Sequence, residues 1–231
     1  MTKTYIKLAA ITAALLPLAA NAQLPGSRPG LFDVSGNAGW QQMQTADPSV
    51  RQWAHPASAS QYGTNCNIAT QSVPFRNSEF QGAFDSIDER TLLSQLRAQG
   101  DVNYIEISPV QTADLDGIDA FRLTARMSGE LNFTAVQYQA VIGSTLVGVT
   151  CGSEESGTGI VLPTLERFVE TTRFSSGMTS AKIDNDPEAE FPDLLTVSDT
   201  NPADFIAATF NAGTIRAVSA AQEQIDTTSD E

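Results

Sequence analysis

Few side chains in this sequence could carry chemistry. His55 is the sole histidine, set in Trp53-Ala54-His55-Pro56. A Ser-His-Asp hydrolase would have to use it, and no G-x-S-x-G turn presents a serine to it. His55 therefore reads as a surface histidine at a strand end. Cys66 and Cys151 are the only cysteines. A thiolate nucleophile needs one of them free, and a metal site needs more ligands than one histidine adds. An even pair in an oxidising compartment reads as a disulfide, Cys66–Cys151. The glycine-rich stretch from Gly152 to Gly159, GSEESGTG, has no phosphate-binding lysine, and Glu154 and Glu155 would repel a phosphate. It reads as a loop, and no cofactor signature appears elsewhere.

Two acidic features remain. Asp114-Leu115-Asp116-Gly117-Ile118-Asp119 spaces carboxylates like the opening of a calcium loop, which makes Asp114, Asp116 and Asp119 candidate metal ligands. The position where such a loop needs its bidentate Glu is Ala125 here, and Asp with Gly also builds tight turns for backbone reasons alone. The second feature is Asp184 to Asp193, DNDPEAEFPD, either a solvated linker or a docking segment for a basic partner. A carboxylate pair working as in glycosidases would have to be assembled by the fold, which spacing does not reveal.

The start of the chain sets the compartment. Lys3 and Lys7 precede an apolar run from Leu8 to Leu16, and Ala20-Asn21-Ala22 supplies the small residues a signal peptidase requires. Residues 1–22 read as a signal peptide cut between Ala22 and Gln23, and the run is shorter than the roughly 20 residues of a membrane span. No later stretch is long and apolar enough to anchor the chain. The formal charge is −14; without Lys3 and Lys7, eleven basic residues face 27 acidic ones, a net of −16. That balance opposes nucleic acid and anionic lipid as partners, because both are bound largely through Lys and Arg.

The elements that would position these groups follow from patterning. Residues 23–38 form an extended Pro- and Gly-rich leader. An early strand pair follows, its second member Thr64–Val73 alternating Cys66, Ile68 and Thr70 against Asn65, Asn67 and Ala69. Ser86-Ile87-Asp88-Glu89 reads as a capping box opening a helix that Gly100 ends. Asn103–Val110, Ile118–Met127, Asn132–Val141 and Ser144–Cys151 read as a four-stranded antiparallel meander, since the links between them are short. A second helix carries Pro163 in its first turn and a stripe of Val161, Leu165, Phe168, Val169 and Thr172. The fold class is thus α+β, an antiparallel sheet packed by two helices. The domain spans 39–174. Residues 175–200 form an acidic disordered linker, and 201–231 a C-terminal helix with a frayed end. That helix, capped by Asn201, either packs back through Phe205, Ile206 and Phe210 or awaits another protein's groove.

A strand pair, a helix, a meander and a closing helix, in that order, resemble the PsbP-like fold of photosystem subunits and DcrB-type bacterial envelope proteins. The stretch that carries the resemblance best is STLVGVTCGSEESGTGIVLPTLERFVETTRF, residues 144–174. The resemblance implies a small sandwich domain that assists larger assemblies, and it brings no catalytic residue with it.

These readings favour an exported, non-catalytic accessory or binding protein of the cell envelope whose partner is another envelope protein. A carboxylate-based hydrolase and a calcium-binding structural protein are the alternatives. Intact-mass measurement of the exported protein is expected to show Gln23 as its first residue; a mass retaining residues 1–22 would contradict the export reading.

Overall fold

The computed structural model describes residues 32–34, 36–47, 49–55, 60–73, 77–143, 145–174 and 202–229. The signal peptide with its Ala22–Gln23 cut, most of the leader and the acidic stretch 175–200 lie outside the described residues.

Strands β2 (Gln41–Met43), β3 (Val50–Ala54), β4 (Asn65–Ser72), β5 (Asn103–Ile107), β6 (Gln111–Asp114), β7 (Asp119–Ser128), β8 (Phe133–Ile142) and β9 (Thr145–Glu154) form one antiparallel sheet. Its order is 2-3-4-9-8-7-5, with β6 also paired to β7. The meander is therefore present, and its last strand closes onto the early pair β3–β4. The expected strand Asn103–Val110 is shorter: it breaks after Ile107 and resumes as β6, both pieces lying on β7. Pro109 has no N–H for the ladder at that point, and Ser108 fills in by exchanging hydrogen bonds with Thr124 (2.8 and 3.0 Å). A separate pair, β1 (Phe32–Asp33) with β10 (Arg173–Phe174), ties the expected leader to the end of the domain.

Four α-helices are described: α1 (Asn77–Asp85), α2 (Glu89–Gln99), α3 (Thr158–Thr171) and α4 (Pro202–Ser229). Helix α1 was not anticipated, although Phe80 and Phe84, one turn apart, are both buried. Its presence corrects the capping assignment. Ser86 closes α1, donating to the Ala83 carbonyl (2.7 Å), while Asp88 caps α2 by accepting the Thr91 N–H (3.2 Å). Gly100 ends α2 in the left-handed region, as its type requires (φ 77°). GSEESGTG is not a loop: it is the end of β9, a 3-10 turn at Glu155–Gly157 and the start of α3. Pro163 consequently lies inside α3 and not in its first turn.

Both faces of the sheet are covered, so β8 is buried along its whole length. On one face the predicted stripe of α3 packs over Trp53, Val136, Val149 and the disulfide Cys66–Cys151. The cysteines stand directly opposite each other on β4 and β9, and both are buried.

The other face carries α1, α2 and α4. Helix α4 runs along β9, whose residues beneath it include Gly148 and Thr150. Amide side chains flank it on both sides and donate to its backbone carbonyls. Gln139 and Gln137 of β8 reach Ile206 (3.1 Å) and Thr209 (3.3 Å). Asn67 and Asn65 of β4 reach Gly213 (3.0 Å) and Ala217 (2.8 Å), and Gln52 of β3 reaches Arg216 (3.3 Å). A Cβ on Gly213 would collide with the Thr150 hydroxyl and the Gln137 amide, so this glycine marks the point of closest approach. Ile206, Phe210, Ala217 and Ala221 complete the buried side of α4.

Of the two positions open to this helix, the packed one is observed. The core thus extends beyond the expected boundary at Phe174, and residues 226–229, expected to fray, continue the helix.

Two outcomes follow for stability. A Cys66→Ser, Cys151→Ser double variant is expected to lose up to about 4.6 kcal/mol, the chain-entropy ceiling for the 85-residue separation; an unchanged melting temperature would refute this. Deleting residues 176–231 uncovers the places of Ile206 and Phe210 and is expected to cost on the order of 5 kcal/mol or more, measurable as loss of a cooperative melt.

Candidate functional site

The groove of interest lies where three segments meet: the α2–β5 turn, the β7–β8 turn and the last turns of α4. It encloses about 800 Å³. Its floor is apolar, formed by Val102, Met127, Leu131 and Val218. Around that floor stand the carboxylates of Asp101, Glu130, Glu223 and Asp226, and no Lys or Arg lines it.

The walls are fixed to one another by hydrogen bonds. Tyr104, on β5, donates from its hydroxyl to Asn211 Oδ1 on α4 (2.9 Å), and Asn211 Nδ2 donates to Asp101 Oδ2 (3.0 Å). Burial pushes the Tyr104 hydroxyl well above the usual tyrosine range, so it stays protonated and a donor. Asn103 Nδ2 donates to Ser128 Oγ (2.7 Å) and links the other two turns. The groove is thus preformed.

Its electrostatics are one-sided. The last turn of α4 holds no basic residue, and a helix C-terminus already carries partial negative charge from its free carbonyls. On β7, by contrast, two arginines are paired with acids. Arg122 pairs with Glu166 (3.1 Å), and Arg126 bridges Glu106 (3.2 Å) and Glu155, both on the sheet face that α3 covers in part. A second hollow of about 230 Å³, between α1 and β6–β7, is smaller.

The groups singled out from sequence fall elsewhere. His55 follows β3 with its ring edge-on to Trp40 (5.2 Å), and burial lowers its pKa, which favours the neutral ring. Cys66 and Cys151 are bonded and buried under α3. The three aspartates build the β6–β7 hairpin. Asp116 and Gly117 occupy its two central positions with positive φ (56° and 76°), an arrangement Asp-Gly favours. Asp114 accepts the Gly117 N–H (2.7 Å), and Asp116 accepts the Phe174 N–H (2.8 Å) while facing Arg173 (3.6 Å). Asp119 offers its backbone carbonyl to Gln81 (3.2 Å). Among the described residues no group of three His, Cys, Asp or Glu side chains converges, and Asp114, Asp116 and Asp119 are used in building this hairpin and its contacts.

Sequence reasoning missed the groove altogether. Its turn residues, such as Ser128-Gly129-Glu130, were legible as a turn, but nothing local ties them to α4, about ninety residues later.

No family model and no curated protein sequence matches the chain. Solved structures that the chain matches include cyanobacterial PsbP from Synechocystis, at 12% identity over 67% of this chain and 99% of that one, with a TM-score of 0.39. LpqN, involved in cell envelope biogenesis of Mycobacterium tuberculosis, is 16% identical over 64% of this chain and 86% of that one, with a TM-score of 0.36. A protein of Bacteroides thetaiotaomicron is 10% identical over 60% of this chain, with a TM-score of 0.36; the chain spans 43% of its length. The chain itself is α+β, with its helices packed on an antiparallel sheet.

Proposed function

We propose that this chain is an exported, non-catalytic accessory or binding protein of the cell envelope, and that it holds another envelope protein in the groove beside α4. The observation that carries the reading is the groove itself: preformed, apolar at its floor, walled by segments that are hydrogen-bonded together. Such a surface suits recognition. Both thiols are tied in a disulfide and so are unavailable as nucleophiles. A disulfide built into the core also agrees with an oxidising compartment and with the signal-like residues 1–22.

The test is site-specific cross-linking in the intact envelope. A photoreactive residue at Ser219, on the groove wall, is expected to yield one dominant adduct with another protein. The same residue at Glu170, exposed on α3, is expected to yield none of that product. Identical adducts from both positions, or adducts from Glu170 alone, would overturn the assignment.

A further inference from the structure

We infer that the occupant of the groove is a cationic amphipathic segment of the partner protein, rich in Lys or Arg and carrying a few apolar side chains; this rests on the reading just given. The charge pattern argues it. Asp101, Glu130, Glu223 and Asp226 share one rim with no basic residue among the groove's lining side chains. Glu223 and Asp226 also lie toward the C-terminal end of α4, where a negative side chain opposes the helix dipole and costs stability. An arriving cation meets four carboxylates with no basic side chain among them and offsets the unfavourable charge at the helix end. The arginines of β7 show the contrast, since each is matched by carboxylates of its own.

The floor decides between a point charge and a segment. Val102, Met127, Leu131 and Val218 offer apolar contact that a metal ion or a polyamine cannot use, whereas an amphipathic segment covers floor and rim together. Charge also opposes two occupants from this chain, the acidic segment after the domain and a second copy. Residues 175–200 hold six acids against Lys182 alone, and a second copy without residues 1–22 brings a net of −16. Nucleic acid and anionic lipid are repelled on the same ground.

The experiment uses the full mature chain and synthetic peptides of about 15 residues, titrated by fluorescence anisotropy at about 0.15 M salt. A Lys/Leu amphipathic peptide is expected to bind, and its Glu/Leu counterpart is not. The pair Glu223→Lys with Asp226→Lys is expected to weaken binding at least about tenfold. Its melting temperature is expected to hold or rise, because the new charges suit the helix end. The control pair Asp85→Lys with Glu170→Lys changes net charge equally at exposed sites outside the groove and is expected to weaken binding less than about twofold. Equal weakening by both pairs would reduce the effect to diffuse attraction and overturn the inference. So would spermine or an all-Lys peptide binding as tightly as the amphipathic one. If Ser219 cross-links to an envelope protein while no cationic peptide binds, the accessory function stands and the cationic occupant is wrong.

Discussion

Helix α4 approaches strand β9 closely at Gly213, where the helix presents no side chain, and the architecture is arranged around that contact. Gly148 of β9 lies under Thr209, and the Thr150 hydroxyl lies under Gly213 where any Cβ would clash. Because the helix sits so low, Gln137, Gln139, Asn65, Asn67 and Gln52 can reach its carbonyls from both flanks. Amides at these depths would be costly without partners; the low helix supplies acceptors for their N–H groups. The same seating brings the end of α4 against the turns at 101–103 and 127–131 and so creates the groove.

The disulfide serves the opposite face. It joins strands already adjacent in the ladder, beneath α3, so it secures a pairing distant in sequence without shaping the groove. The two faces thus differ in kind. One is an apolar core with a covalent staple; the other pairs apolar contacts from Phe80, Leu92 and Phe210 with a row of amides.

Those amides explain what could and could not be read from sequence. Strand positions, the α3 stripe and the pairing of two cysteines were legible because alternation, helical period and cysteine count each point one way. Asn65 and Asn67 alternate with Cys66 and Ile68 and so resemble a solvent face, yet both are fully buried. Polar alternation signals water only when no helix covers the sheet, and the covering helix here begins some 130 residues further on. A glycine in mid-helix ordinarily weakens the helix, whereas at Gly213 the fold uses the absent side chain. The hairpin aspartates show the converse, since a ligand-like spacing was satisfied by turn geometry. The groove, assembled from distant turns, left no local trace.

A seat that grips α4 mainly by its carbonyls is largely indifferent to which residues the helix displays. Substitutions on its outer side leave all five amide contacts intact, provided the inner side keeps Gly213, Ala217 and Ala221 small. The outer face is therefore open to drift across generations, free to acquire whatever charges a new partner demands, while the inner face and its bed remain constrained. Mutational latitude and structural obligation are divided between two sides of a single helix.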